Sequence, residues 1–200
     1  MNKLLPLNLT KIIEYFVKNI PNKFNVNQIA RNLKISVGSA YKILKSLEKK
    51  QIFVSEKIGN GIYYNLNLKN KETEIIAELV LIENRNKALA KNPHASIYAK
   101  DLQKVETFSK SVILFGSILN RKDAKDVDVL FIVDKGKSKK VEDFCLKLSN
   151  LRPRRVNPLT MTASDLQKNI KKQDKVIVDI LRKGVILFGE DEIIRTLRNV

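Results

Sequence analysis

Residues 113–133 read ILFGSILNRKDAKDVDVLFIV. Two apolar runs flank a Gly116-Ser117 pair, and Asp126 and Asp128 stand at the mouth of the second run. Aspartate is a poor strand residue, yet VLFIV behind it has the β-branched and aromatic content of a buried strand. Side chains two apart in a strand face the same way, so the two carboxylates converge. Adjacent anions repel unless a cation lies between them. Mg2+ suits such a place, because it takes carboxylate and phosphate oxygens. Gly116 leaves room for close backbone approach. A turn after a strand, with its N–H groups and the Ser117 hydroxyl, makes a phosphate-sized site. These residue types suit metal-assisted nucleotidyl transfer, where one metal holds a triphosphate and a second, about 3.5–4 Å away, activates a hydroxyl.

Working outward, SVILF (111–115) and DVDVLFIV (126–133) read as strands, and KSKKVEDFCLKLSNL (137–151) as an amphipathic helix. RRVNPLTMT (154–162) is extended. Thr162 and Asp165 form a capping signal for the helix ASDLQKNIKK. DKVIVDILRKG (174–184) is a helix ended by Gly184, VILFG a short strand and EDEIIRTLRNV a last helix. IYAKDLQKVETF, upstream, suggests one more helix. Intermixed strands and helices of this extent predict an α/β or α+β domain of ~100 residues.

F-G-S followed by D-V-D resembles the nucleotidyltransferase superfamily of DNA polymerase beta, most nearly the minimal and antibiotic nucleotidyltransferases, over about 95–190. By this resemblance Gly116 and Ser117 hold the phosphates of an NTP ligand or substrate, and Arg121 stands in for an arginine common after the serine. Asp126 and Asp128 are the catalytic carboxylates and bind Mg2+. Catalytic members of the family take a third carboxylate from a later strand. The matching strand here, RRVNPLTM, offers Asn157. Asparagine can give a metal its carbonyl oxygen, but it is neutral and cannot take a proton as a carboxylate does. Asp134, at a strand end, and Asp179, on a helix, are poorly placed for the role. The resemblance therefore implies Mg-nucleotide binding without turnover, with NMP transfer to an acceptor as the alternative. It also implies a toxin–antitoxin setting, in which a helical antitoxin-type protein is the partner.

The first 68 residues read as three helices and a hairpin. LTKIIEYFVKN (9–19) has a helical apolar period and is stopped by Pro21. Asn25 can cap VNQIARNLK, and Ser36 can cap VGSAYKILKSLEKK (37–50), which buries Ala40, Ile43, Leu44 and Leu47. IFVSEKI and GIYYNLNL are strands around Gly59-Asn60-Gly61. This order resembles archaeal and bacterial winged-helix regulators, over roughly residues 8–68. Where that family often has glycine, at the end of the third helix, this chain has Gln51. The resemblance implies binding to double-stranded DNA, with the third helix in the major groove and the hairpin on the backbone. Ser39, Tyr41, Lys42 and Lys45 are the side chains expected to reach DNA, with Lys49 and Lys57 near phosphates. The exposed helix face has no Arg, Asn or Gln, so base readout is weak or indirect.

The whole is expected to be α+β: an N-terminal winged helix-turn-helix (1–68), a linker helix (69–92), and a C-terminal nucleotidyltransferase-like α/β domain with a mixed sheet (93–200). Ile75, Ile76, Leu79, Ile82 and Leu89 form the linker's apolar stripe, which could pair with a second copy in a homodimer. The net charge is +17, and residues 1–70 carry 12 Lys/Arg against 3 Asp/Glu. Such a basic end suits phosphate-rich partners. No apolar run approaches a membrane span, and MNKLLPLNLTK lacks a signal-peptide core, so a cytoplasmic protein is expected. Cys145, the single cysteine, reads as a packed core thiol. His94 reads as a connector residue, and KGKSKK (135–140) as a solvated loop.

Overall fold

The computed structural model describes residues 5–121 and 123–200. The first four residues of the expected winged helix, and Lys122 inside the opening stretch, lie outside the described residues. The chain forms two compact units, one ending at Val80 and one running from Leu81 to Val200. Both sheets and their helices make the protein α+β.

The first unit runs α1 (Leu7–Val17), β1 (Phe24–Asn25), α2 (Val26–Leu33), α3 (Val37–Lys49), β2 (Phe53–Ile58) and β3 (Gly61–Leu66). Local chemistry sets its boundaries. Asn25 and Gln28 form a reciprocal capping box at the start of α2. Lys34 turns left-handed, and the Ile35 N–H closes back onto the Ala30 carbonyl at 3.0 Å. Ser36 then accepts the Ser39 N–H at 3.1 Å and starts α3. Ala40, Leu44 and Leu47 are buried, as expected, whereas Ile43 is half-buried. Phe16 holds the centre, with ring centroids 5.5 Å from Phe24 and 4.7 Å from Phe53. In the hairpin Ile58 pairs with Gly61, which leaves a two-residue turn at Gly59 and Asn60. The sheet order is β1-β3-β2, all antiparallel. The short strand β1 is absent from the sequence reading, because two residues carry no periodicity.

Gln51 ends α3 with φ at +60°. Its carbonyl accepts the side-chain amides of Asn67 at 2.9 Å and Asn70 at 3.2 Å, so the turn is tied down from the far side of the hairpin. A left-handed non-glycine residue costs about 1–2 kcal/mol, partly offset by the greater freedom glycine has when unfolded. Gln51→Gly keeps both carbonyl contacts and should stabilise the unit by about 0.5–1 kcal/mol. A rise in the midpoint of urea unfolding at constant slope checks this.

Helix α4 (Lys71–Lys91) is continuous, and the division between the units falls within it. The buried residues on its first part are Thr73, Glu74, Ala77, Val80 and Leu81, while Ile75 is 54% exposed. The expected stripe of Ile75, Ile76, Leu79, Ile82 and Leu89 is therefore not the face the helix buries: among these, Ile75 is exposed and the other four are half-buried. Helical spacing defines possible faces, and the neighbouring surface selects one. Here small Thr73 and Ala77 permit close approach, and the Thr73 hydroxyl reaches the Ile52 carbonyl at 3.5 Å.

The second unit continues with α5 (Pro93–Leu102), β4 (Ser111–Phe115), β5 (Asp126–Ile132), α6 (Ser138–Leu151), β6 (Arg155–Met161), α7 (Ala163–Lys171), α8 (Lys175–Lys183), β7 (Val185–Phe188) and α9 (Glu190–Arg198). Its sheet order is β6-β5-β4-β7, with β5 and β6 parallel and the other two pairs antiparallel. Val127, Val129 and Phe131 project from one face of β5 into a core with Tyr98, Leu102, Val141 and Cys145. Burial pushes the Cys145 thiol up to about 12, so it is protonated and inert at neutral pH. His94 lies in the first turn of α5, exposed, and not in a connector. Arg85 joins α4 to the end of the sheet by donating to the Leu187 carbonyl at 2.7 Å and to Glu190 at 2.6 Å.

Candidate functional site

The end of β4 and the start of β5 build the site. Phe115 pairs directly with Asp128, so they share one sheet face. Along β5 the burial alternates at its mouth: Asp126 and Asp128 are half-buried while Val127 and Val129 are fully buried on the other side. The opening puzzle has its local answer here. The aspartates occupy the rim of the strand, and the apolar residues after them carry its burial.

Parallel pairing with β6 sets Asn157 beside Asp128, and Arg155 beside Asp126. The Asn157 amide nitrogen donates to Asp126 Oδ2 at 3.3 Å and to Asp128 Oδ1 at 3.2 Å. Both carboxylates therefore converge on a single amide. Two clamps hold this geometry. The buried Tyr98 hydroxyl accepts the Arg154 N–H at 3.0 Å, and the Arg154 guanidinium donates to the Ala124 carbonyl at 2.6 Å. The start of β6 is thus tied to the residues just before Asp126. Ser149, on α6, accepts the Val156 N–H at 2.9 Å and fixes β6 from the other side.

Gly116 makes the turn out of β4 with φ +79° and ψ −157°, a region essentially restricted to glycine. A Cβ there would lie 2.3 Å from Asp128 Oδ2. The carboxylate thus presses against the glycine backbone. Ser117 opens a short 3-10 turn, and its carbonyl accepts the Arg121 N–H at 2.8 Å. Its hydroxyl is half-buried and has no partner among the described residues. Arg121 is exposed, and its guanidinium holds Asp123 through two contacts at 3.2 and 3.0 Å.

The donor set suits Mg2+: two carboxylates on one strand face, beside an amide and a glycine turn open to phosphate. No group of three or more His, Cys, Asp or Glu able to hold a metal occurs among the described residues. The set is therefore a two-carboxylate one that ligand phosphate would have to complete. Asp134, at the exposed end of β5, is paired with Lys110 at 2.7 Å.

One part of this region is missing from the sequence reading. A cleft of about 680 Å³ is bounded by Phe115 to Arg121 on one side and by α8 on the other. Lys175, Val176 and Asp179 line it, so Asp179 stands near the glycine turn, though Lys183 holds it at 2.8 Å. The amphipathic spacing of α8 was visible in sequence, but not which element its outer side would face.

In the first unit the expected DNA-contacting residues fall on α3 and the hairpin. Tyr41, Lys42 and Lys49 are exposed on α3, and Lys57 is exposed near the hairpin tip. Lys42, Lys49 and Lys57 make no ion pair among the described residues. Ser39 is half-buried and receives the Asn8 amide at 3.5 Å. Lys45 is tied to Glu48 at 2.8 Å, and Glu48 also takes the Ser55 hydroxyl. The contact to Glu48 raises the Lys45 pKa, and the contact to Lys45, then Ser55, lowers that of Glu48. A lowered carboxyl pKa stabilises the folded form at neutral pH, and that contribution is lost as pH falls through the folded value.

No protein-family profile matches the chain, and no curated protein matches it by sequence. Among solved structures it is distantly similar to winged helix-turn-helix regulators. One is AdcR, the adhesin competence repressor of Streptococcus pyogenes, at a TM-score of 0.40 and 20% identity, covering 53% of this chain and 78% of that one. Another is ZitR of Lactococcus lactis, a zinc-responsive MarR family member, at 0.33 and 16%, covering 76% and 78%. A point mutant of ZitR gives 0.39 and 16%, covering 54% and 71%. At such scores the likeness is remote. No helix among the described residues is long and apolar enough to cross a membrane.

Proposed function

We propose that this chain is a DNA-binding regulator whose second unit binds Mg-nucleotide without transferring it. The observation that carries the second clause is the Asn157 amide between Asp126 and Asp128. At that position a carboxylate could accept a proton from an attacking hydroxyl, and an amide cannot. The two aspartates supply hard oxygen ligands. Gly116 gives phosphate oxygens access to the backbone, and the unpartnered Ser117 hydroxyl can donate to one of them. Mg2+, when bound, would neutralise phosphate charge and the carboxylate pair together. The Asn157 amide could rotate to present its oxygen, since its donor orientation suits two unneutralised carboxylates. Helix capping at Asn25 and Ser36, a basic α3 face and a two-residue hairpin turn support the DNA-binding clause.

Titration calorimetry with Mg2+ and each NTP tests the site. Wild type should bind in a Mg-dependent way, and Asp126→Asn with Asp128→Asn should lose that binding by at least about 30-fold, the scale of a buried charge-assisted contact pair. Unchanged affinity in the double variant would remove the carboxylates from the site. The convergence of the two carboxylates also favours a second reading, an active nucleotidyltransferase. Transfer of labelled NMP from NTP to protein, RNA or a small molecule would establish that reading and refute the absence of turnover.

A further inference from the structure

The carboxylate pair and the α8 cleft lie on one side of the same sheet. Phe115 shares its face with Asp128 by register, and Ile113 shares it by the period of two along β4. Ile113 meets the end of α8, because a Cβ on Gly184 would lie 2.7 Å from its Cγ2. Gly116 belongs to both places: it lines the cleft, and it presses on Asp128. A ligand that reached the aspartates over Gly116 would therefore have its other end in the cleft.

The cleft is chemically mixed. Phe115, Leu119 and Val176 are its apolar surface, and Val176 is 61% exposed, unusual for an aliphatic side chain on a helix this well packed. Lys175 stands beside it with no ion pair among the described residues. The neighbouring Asp174 carboxylate is occupied with capping, accepting the Val176 and Ile177 N–H groups at 3.0 Å each. The Lys183 and Arg121 charges are held by Asp179 and Asp123. About 680 Å³ is within the usual range for a small-molecule site.

We propose that this cleft is the nucleoside pocket of the chain. The base and ribose lie against Val176 and Leu119, Lys175 meets the nearer phosphate, and the outer phosphates cross Gly116 and Ser117 toward Asp128. The proposal rests on the Mg-nucleotide reading and adds where the nucleoside is held. It makes α8 the element that separates a nucleotide from bare polyphosphate.

The test uses the full chain, ATP and inorganic tripolyphosphate, each with Mg2+, in titration calorimetry. GTP, CTP and UTP are run in parallel. Val176→Asp is the decisive variant: an acidic residue in the first turn of α8 is compatible with folding, and thermal unfolding verifies that. Wild type should prefer ATP or another NTP to tripolyphosphate by at least tenfold. Val176→Asp should lower NTP affinity at least tenfold and leave tripolyphosphate within about twofold, since bare polyphosphate does not reach the apolar wall. Lys175→Ala should weaken both ligands. If Val176→Asp leaves NTP binding intact while the Asp126 and Asp128 variants abolish it, the pocket assignment fails and the Mg-nucleotide reading stands. If Val176→Asp removes NTP binding and the aspartate variants do not, the pocket stands and the metal reading fails. Absence of binding by wild type to either ligand overturns both.

Discussion

Gly116→Ala should destabilise the second unit by about 4 kcal/mol and displace the Asp128 carboxylate. Two costs combine. The backbone at φ +79° and ψ −157° is one that only glycine adopts freely, and forcing a side chain there costs roughly 1–3 kcal/mol. The new Cβ would also lie 2.3 Å from Asp128 Oδ2 and 3.2 Å from its Cγ. Overpacking of that kind adds about 1–3 kcal/mol. Asp128 can relieve the clash only by leaving the Asn157 amide. Mg-dependent nucleotide affinity should therefore fall more than about tenfold, the worth of one charge-assisted hydrogen bond. Gly136 is the control. It too has φ +79°, but nothing lies within 4 Å of its added Cβ. Gly136→Ala should show the backbone cost and keep the binding. Urea unfolding gives the first quantity and calorimetry the second. Equal effects from the two variants would mean that the contact with Asp128 carries no energy.

Reversing Lys42, Lys49 and Lys57 to Glu together should lower affinity for duplex DNA by about a hundredfold at 50 mM salt. The salt slope should fall by roughly 2.7, about 0.9 for each phosphate no longer neutralised. All three are exposed and carry no ion pair among the described residues, so reversal should leave the fold intact. Lys45→Ala should do much less, since its ammonium group is committed to Glu48 at 2.8 Å. Glu48→Gln should release it and raise affinity a few-fold with a steeper slope. Fluorescence anisotropy with labelled duplexes of unrelated sequence, across a salt series, separates these outcomes. A triple variant that binds as wild type does would move the phosphate contacts off α3 and the hairpin, and would leave the first unit to a protein-contact role.

Much of the element order was legible because local rules suffice for it. Asn25, Ser36 and Thr162 each cap the helix that follows them, and capping depends only on residues within one turn. SVILF forms β4 over the residues expected, Ser111–Phe115, since a run of β-branched and aromatic residues between polar breaks has few alternatives. The Gln51 departure was also legible as a backbone demand, and the structure meets it with a left-handed residue held by Asn67 and Asn70. The buried face of α4 was not. Ile75 is larger and more apolar than Thr73, yet Thr73 is the buried one.

The candidate site divides the same way. That Asp126 and Asp128 share a face follows from the period of a strand, and that Gly116 marks a tight place follows from its lack of a Cβ. No local rule could say that the Asn157 amide would reach both carboxylates, because that depends on β6 lying parallel to β5 in one register, 29 and 31 residues away in sequence. Nor could one say that α8 would wall a cleft beside the glycine turn. Sequence alone determined the strands, the caps, the basic first third and the pair of acids at a strand mouth. Tertiary structure decided what those acids meet, and it did so because register and packing are set by long-range contacts that a single stretch of chain does not contain.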